Sequence, residues 1–330
     1  MSGVPNSNQP GRSDFRRMAA AFLSQPGLPF AQVLSADRIE RVFAKHDNLF
    51  GGKVYTTAVM VWTFLRQVLS DGKESSCQAS VAQIVVHQQQ TGGVVPTSDT
   101  GDYCRARAKL SEDALHELTV ETGAEVEQQA KTAWLWKGRH AKLADGFTFT
   151  MPDTPANQAA YPQHTAQKRG VGLPIARAVA ILSLATACVL GLALGPYSGK
   201  ETGEMALLRS LLESLFEGHL LVADGYYCFV LMIAQLCQHK VDVCARLHQR
   251  RKVDFRRGRR LGPDDHLITW TRPARPKWLD EATYATIPRT MTLREVRFCV
   301  AEPGRRIQVL TVVTTWLDSE IYSREDIAQL

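Results

Sequence analysis

The chain has 330 residues, of which 45% are hydrophobic, so it can bury a substantial core and is long enough for two or three structural units. Lysine and arginine number 39 against 33 aspartates and glutamates, and the formal net charge of +6 agrees with a polyanionic partner without establishing one. The seven cysteines include no Cys-x-x-Cys pair and no zinc-finger spacing, which gives no support to a disulfide framework or a structural zinc site and indicates a reducing compartment.

Neither a secretory signal nor a membrane span is predicted. Residues 1–14 lack the basic-then-apolar order of a signal peptide, and we expect them to form a flexible lead. The apolar run 178–194 is at the short limit for a membrane span and contains Ser183, Thr186 and Gly191. It fits two buried strands of a covered sheet equally well, so we expect a cytoplasmic protein without a membrane contact.

Residues 15–135 show the apolar periodicity of α-helices, which predicts a helical region at the N-terminal side, and this region is a candidate for DNA binding. Ile39, Val42 and Phe43 fall on one face of an early helix, and a strongly apolar segment follows at 59–69. This half of the chain is therefore expected to be a helical bundle.

A short basic patch follows the loop 92–101. It contains Arg105, Arg107 and Lys109. A solvated helix face and a contact with nucleic-acid phosphates both explain such a patch. On the second interpretation, Arg105 and Arg107 are candidate DNA-binding residues.

The periodicity changes near Gly146, where Phe147 and Phe149 alternate with threonines as in a half-buried strand. Thr154 and Pro155 then offer a helix cap and a first helical residue. Further elements are expected as a helix at 203–216, a strand at 219–223, a helix at 229–238, and strands at 241–247, 297–300 and 307–315. Strand, helix and strand in this order predict a mixed α/β sheet.

Two isolated aspartates, Asp145 and Asp224, each stand at the edge of an apolar, strand-like run and precede a glycine. A carboxylate beside a buried strand is costly to desolvate unless a cation, a donor or water compensates it. Mg²⁺ prefers oxygen ligands, and two ions about 4 Å apart can activate an attacking oxygen and stabilise a leaving one. The alternative is a pair of turns, because Asp-Gly is a common turn dipeptide.

The most basic stretch of the chain is 246–260, which is followed by Trp270 and Trp278. A nucleic-acid backbone with an unstacked base fits this composition, and so does a mobile surface loop with ordinary packing of the tryptophans. The candidate DNA-binding residues are Arg246, Arg250, Arg251, Lys252, Arg256, Arg257, Arg259 and Arg260. Trp270 and Trp278 are the candidates for base stacking.

Several blocks, in order, resemble the conserved blocks of IS4-type DDE transposases. They are Asp145-Gly, 151–162, 194–204, Ala223-Asp-Gly-Tyr-Tyr-Cys and 246–251. The resemblance extends from about residue 98 to the end of the chain. It implies a DNA transposase of an insertion element, whose reaction is metal-dependent strand cleavage at the element ends and transfer of the free 3′-hydroxyl to target DNA.

For the fold, the resemblance implies an α/β protein: a ribonuclease-H-like mixed sheet with an N-terminal helical region and a mainly β insertion. The first part of the core would be 136–247, the basic insertion that grips DNA 248–308, and the return strand with the start of a C-terminal helix 309–330. Asp145 and Asp224 would be the catalytic ligands of Mg²⁺ or Mn²⁺. The implied partners are double-stranded DNA at transposon ends and at targets, in a prokaryotic nucleoid, and a second copy in a homodimer on DNA.

The chain departs from the family pattern at its end. Relatives carry a third acid, a glutamate in a Tyr, Arg, Glu, Lys signature, on the helix after a segment like 323–330, and Glu320 and Glu325 precede that position. Phe147 and Gly225 also stand where a small hydroxyl residue and an arginine are usual. We therefore expect an incomplete copy with little cleavage activity. The alternatives are a non-catalytic DNA-binding fragment that inhibits full-length transposase, and a pseudogene product that folds poorly.

Overall fold

The fold is described from a computed structural model, in which residues 28–32, 34–168, 170–300 and 308–330 are described. The chain divides into two compact units, one up to Thr119 and one from Val120. The expected flexible lead and the first part of the expected helical region, 1–27, lie outside the described residues. None of the helices described is long and apolar enough to cross a membrane.

Five α-helices begin in the described part of the first unit, as the periodicity predicts. They are α1 (Ala36–Lys45), α2 (Thr57–Leu69), α3 (Cys77–Thr91), α4 (Gly101–Arg107) and α5 (Glu112–Gln128). Hydroxyl side chains cap the N-termini of three of them: Ser35, Thr56 and Ser76 accept hydrogen bonds from backbone N–H groups in the first turns of α1, α2 and α3. Gly92 ends α3 in the left-handed conformation, with φ of 70°, that glycine adopts without strain.

The core of the first unit contains the side chains that the sequence places on one face of α1. Ile39, Val42 and Phe43 are fully buried. Fully burying an aliphatic or phenyl side chain contributes roughly 1.5–3 kcal/mol. Trp62 of α2 packs in the same cluster, and its indole N–H donates to the Leu34 carbonyl oxygen at 2.8 Å. The expected helical bundle is therefore confirmed for the described residues.

The described part of the second unit contains one nine-stranded mixed sheet. Its strands are β1 (Ala141–Thr150), β2 (Ile175–Ser183), β3 (Val189–Pro196), β4 (Leu220–Ala223), β5 (Asp242–Arg246), β6 (Arg259–Gly262), β7 (Asp265–Thr271), β8 (Thr290–Val300) and β9 (Gln308–Thr314). Their order across the sheet is β3-β2-β1-β4-β5-β9-β8-β7-β6. The helices are α6 (Pro155–Ala160), α7 (Glu204–Ser210), α8 (Val230–Gln238), α9 (Glu281–Thr286) and α10 (Arg324–Ala328). β4 is parallel to both β1 and β5, whereas the other pairs are antiparallel.

Both faces of this sheet are covered near β4 and β5. Leu221 and Val243 pack with α7 and α8 on one face. Leu220 and Cys244, one residue earlier or later on the same strands, pack with Ile327 of α10 on the other. Because successive strand residues point to opposite faces, these short strands are buried on both sides, which explains their continuous apolar character.

The α/β fold class is confirmed. The first aspartate lies on a central strand, and the second directly follows a later strand that is parallel to it, as the resemblance to a ribonuclease-H-like core implies. The apolar run 178–194 forms β2 and β3 rather than a membrane span. In the segment 248–308, β6, β7 and β8 extend the same sheet through β9. The expected start of β9 at Ile307 lies outside the described residues.

Two expectations for local structure are wrong in detail. The helix expected at 203–216 ends as an α-helix at Ser210, whose hydroxyl donates to the Leu207 carbonyl oxygen at 2.7 Å and so competes with helix continuation. The end of β1 is not half-buried, because Phe147 and Phe149 are 52% and 38% exposed. β4 pairs with β1 only as far as Ala144, so the rest of β1 extends past the end of β4 and is paired with β2 on one side only.

Candidate active site

The two aspartates that the sequence singles out leave neighbouring parallel strands at the same edge of the sheet. Ala144 of β1 pairs with Ala223 of β4, and the next residues are Asp145 and Asp224. Adjacent strands lie roughly 4.8 Å apart. Strand register therefore brings Asp145 and Asp224 to the same edge of the sheet, although the residues are far apart in sequence.

The next strand adds a positive charge to this edge. Ala223 also pairs with Ala245 of β5, so Arg246 follows in the same row beside Asp224. Asp224 and Arg246 line one cavity of about 320 Å³, whose wall is completed by Gly225, Tyr226, Leu247, His248 and Gln249. A concave site with a carboxylate and a guanidinium on its walls can bind a metal ion together with a phosphate group.

Backbone donors fix one oxygen of each carboxylate. Oδ1 of Asp145 accepts from the Gly146 N–H, and Oδ1 of Asp224 accepts from the Tyr226 N–H, each at 2.8 Å. Both side chains are exposed. In the part of the chain that the structure describes, neither aspartate forms an ion pair with a lysine, arginine or histidine. One oxygen of each carboxylate is thus held while the other can reach a cation.

This donor set fits a hard divalent cation. Mg²⁺ and Mn²⁺ bind through one or two carboxylates together with water and substrate phosphate oxygens. Asp145 and Asp224 offer two such carboxylates on one edge. Within the described ranges, no group of three or more histidine, cysteine, aspartate or glutamate side chains has metal-binding geometry.

A third acid, Glu204, lies close to this edge but contacts a tyrosine. Its carboxylate packs against Gly146, and Oε2 accepts from the Tyr227 hydroxyl at 3.4 Å. Burial raises the pKa of Tyr227, and the negative charges of Glu204, Asp224 and Asp145 raise it further. The phenol therefore stays protonated and acts as a donor. Sequence reasoning missed Glu204 and Tyr227, because no local spacing connects them with the aspartates.

Gly225 permits a close approach at the second aspartate. A Cβ at this position would lie 3.1 Å from the Leu247 carbonyl oxygen and 3.2 Å from the Cα of His248. A larger residue would need the turn after β4 to move away from the end of β5. The glycine at this position therefore matches the tight packing of the two segments.

All eight candidate DNA-binding residues of 246–260 are exposed. Four of their side chains make local contacts, one of them the Arg260 guanidinium, which donates to the Gly262 carbonyl oxygen at 3.3 Å. Arg256 and Arg257 form ion pairs with Asp254 at 2.9 and 3.5 Å, and the guanidinium of Arg251 stacks on Trp270 at 3.7 Å from the ring centre. The stretch is thus a basic surface that Asp254 partly neutralises.

The two tryptophans are packed against arginines. Trp270 is 4% exposed, its indole N–H donates to Glu295 at 3.0 Å, and Arg251 covers one ring face. Trp278 is half-buried under the guanidinium of Arg209, at 3.8 Å from the ring centre. A base could stack on either ring only after an arginine moves, so the packing alternative describes both residues in this structure.

Arg105 and Arg107, both in α4 of the first unit, differ in what they contact. Arg105 is exposed and pairs with Asp102 at 2.6 Å. Arg107 is half-buried, donates to Oε1 of Gln67 at 2.9 Å and lies over the Tyr103 ring. The expected basic patch is therefore divided between an exposed side chain and one engaged inside the unit.

Comparison with known proteins identifies a family for the greater part of the second unit. The family model for the transposase DDE domain matches residues 136–330. The transposase InsG for insertion sequence element IS4, from Escherichia coli K12, is 27% identical over 204 residues, which are 59% of this chain and 44% of that protein. The chain thus spans less than half the length of this curated relative.

Among solved structures, the Mos1 transposase paired-end complex with the left transposon end matches at a TM-score of 0.23 and 14% identity, over 73% of this chain and 78% of that one. A likeness at this level establishes neither fold nor function. The family model, by contrast, covers more than half of the chain and contains both aspartates. The protein therefore belongs to the family with a transposase DDE domain, and its resemblance to the IS4 type is confirmed.

Proposed function

We propose that this protein acts on double-stranded DNA as the transposase of an insertion element, with Asp145 and Asp224 as the catalytic metal ligands. The reaction is strand cleavage at the element ends, followed by attack of the free 3′-hydroxyl on target DNA. The observation that carries the proposal is the parallel pairing of β1 with β4, which brings the two aspartates to one edge. Metal ligands that converge from separate strands on a rigid sheet are typical of a catalytic centre rather than of two unrelated turns.

Mg²⁺ or Mn²⁺, when bound, would supply Lewis acidity toward the phosphodiester. The protein's own contribution is to hold the two carboxylates in a fixed orientation. The N–H groups of Gly146 and Tyr226 each hold one carboxylate oxygen, which limits the rotation of Asp145 and Asp224. Arg246, on the wall shared with Asp224, is placed to donate to a non-bridging phosphate oxygen and to stabilise the charge that develops there.

The DNA backbone would continue over the exposed basic surface of 250–260. This surface belongs to the same unit as the aspartates and begins four residues after Arg246. Exposed arginines neutralise phosphates and release counterions, which supplies sequence-independent affinity. A homodimer on the DNA is part of the same proposal, since transposition joins two ends.

The experiment measures metal binding and cleavage separately. Mn²⁺ binding is followed by electron paramagnetic resonance, and nicking is followed on a labelled duplex taken from the DNA that flanks the coding region. Asp145→Asn and Asp224→Asn should each weaken Mn²⁺ binding at least about tenfold and abolish nicking. Asp153→Asn is the matched control, because Asp153 is exposed on the same unit and follows the end of β1.

Unchanged Mn²⁺ affinity in both site variants would refute the metal-ligand roles. A different outcome distinguishes the alternative function. If the unmodified protein binds the duplex in a salt-sensitive way but gives no nicking with either metal, the non-catalytic DNA-binding role replaces the catalytic one. A broad unfolding transition with poor solubility would instead favour the poorly folded product.

A further inference from the structure

A pair of cysteines in the first unit has the geometry and polarity of a reactive dithiol. Cys77 is the first residue of α3 and Cys104 lies in α4, and their sulfur atoms are 3.6 Å apart. Both are partly exposed, so small reagents can reach them. A disulfide has an S–S bond of about 2.0 Å, so modest side-chain rotations would bring the two atoms to bonding distance.

The surroundings of the two sulfurs are unequal. The Cys104 thiol donates to the Cys77 sulfur, which also accepts from the Gln67 amide at 3.7 Å and from the Arg107 guanidinium at 3.9 Å. Cys77 is also at the N-terminus of a fifteen-residue helix, where the backbone dipoles favour negative charge.

These contacts have opposite effects on the two thiols. Burial raises the pKa of Cys77, but hydrogen bonds from Cys104, Gln67 and Arg107 outweigh it, and the net pKa is lowered. The hydrogen bond to Cys77 raises the pKa of Cys104, and burial adds to the effect. One sulfur is therefore suited to be a nucleophile and the other to be its protonated partner.

We propose that Cys77 and Cys104 form a peroxide-sensitive modification site that converts to an intramolecular disulfide. The Cys77 thiolate attacks one oxygen of hydrogen peroxide, the O–O bond breaks, and hydroxide leaves and is protonated to water. The sulfenic acid formed on Cys77 is then attacked by the Cys104 sulfur, which loses its proton to the departing hydroxide. In total, two thiols and one peroxide give one disulfide and two waters, with both sulfurs oxidised and both peroxide oxygens reduced.

The bond would connect the start of α3 with α4 and would remove the thiolate that faces Arg107. With both thiols free, Arg107 also donates to Oε1 of Gln67 at 2.9 Å. This chemistry lies within the first unit and does not depend on the proposed function of Asp145 and Asp224.

The test uses the full chain, reduced and then treated with equimolar hydrogen peroxide. Remaining thiols are blocked with N-ethylmaleimide, and the products are identified by intact mass and peptide mapping. We expect a linked Cys77–Cys104 peptide that a reducing agent separates, with two fewer blocked thiols. Cys299, exposed on β8, is the internal reference and should oxidise at least about tenfold more slowly.

Single variants separate the two roles. Cys104→Ser should accumulate sulfenic acid on Cys77, detected with dimedone, and Cys77→Ser should leave Cys104 as slow as Cys299. The measurement on the unmodified chain decides the question even where a variant fails to fold. Oxidation of Cys77 at the rate of Cys299, or the absence of the linked peptide after peroxide treatment, would overturn the proposal.

Discussion

The carboxylate of Glu204 lies over Gly146, so closely that a Cβ on Gly146 would come within 2.7 Å of the carboxylate carbon. Gly146 directly follows Asp145 on β1, and Glu204 is the first residue of α7. The glycine therefore lets the first turn of α7 approach the strand that carries the aspartate. It also leaves Glu204 in reach of the Tyr227 hydroxyl.

Gly146→Ala should displace Glu204 from Tyr227. The new methyl group collides with the end of a flexible side chain, which can move, so we expect the free energy of unfolding to fall by only about 1 kcal/mol. Denaturant unfolding measures the loss. Glu204→Ala in the same chain should remove the penalty, while Gly262→Ala, at a position with open space around it, is the control that should change little. An equal loss with and without Glu204 would show that the clash is not the cause.

Neutralising Arg256, Arg257, Arg259 and Arg260 should flatten the salt dependence of DNA binding. Each arginine that no longer neutralises a phosphate reduces the slope of log K against log salt by about 0.9, so we expect a decrease of about 3 to 4. Fluorescence anisotropy on a labelled duplex at several salt concentrations measures it. Lys240→Gln, which removes an exposed charge that is paired with Glu217, should leave the slope nearly unchanged. An unchanged slope in the fourfold variant would show that DNA binds to another part of the surface.

How much of the site the sequence could reveal depends on the range of the interaction. Asp145, Asp224 and Arg246 each end an apolar run, and that pattern is local, so all three could be selected from the sequence. Their common row depends on the register of β1, β4 and β5, which no local pattern encodes. The expectation that Asp145 and Asp224 share one site therefore depends on the resemblance to a family, because periodicity does not indicate which strands are neighbours.

The errors have the same origin. The alternation of Phe147 and Phe149 correctly indicates a strand, but their exposure depends on where β4 ends, nearly eighty residues later. Likewise, the basic and aromatic context of Trp270 left base stacking and ordinary packing open, and its contacts with Glu295 and Arg251 depend on the assembled sheet. Local propensity predicts the element, and only the assembled sheet determines which faces are free.

Replacing Arg294 alone should destabilise the second unit strongly. Its side chain is fully buried, donates to both oxygens of Asp265 at 2.8 and 2.5 Å, and donates to the Tyr322 carbonyl oxygen. Arg294→Met leaves the Asp265 carboxylate buried without its cation, and we expect a loss of about 3–5 kcal/mol in denaturant unfolding.

The matched control is an exposed pair, since Lys240→Met breaks its contact with Glu217 at the surface and should change stability by less than about 1 kcal/mol. Adding Asp265→Leu to Arg294→Met should recover part of the loss. If Asp265→Leu instead lowers the stability of the Arg294→Met variant further, the unpaired buried carboxylate is not the source of the effect.

Acid should destabilise the second unit in two stages. Burial, followed by the positive charges of Lys142 and His140, lowers the pKa of His219 to about 4, from an ordinary value of 6.5. Burial raises the pKa of Glu127, but hydrogen bonds from Lys142, Ser183 and His140 lower it to about 2. Both groups bind protons more weakly in the folded state than in the unfolded state. The stability that they contribute is therefore fully present above pH 6.5, and it falls first between pH 6.5 and 4 and then between pH 4.5 and 2.

His219→Gln should remove the first stage, whose steepest slope is about 1.4 kcal/mol per pH unit, in denaturant unfolding measured across this range. His239→Gln, at an exposed helix end, should retain both stages, and a first stage that persists without His219 would assign it to another group.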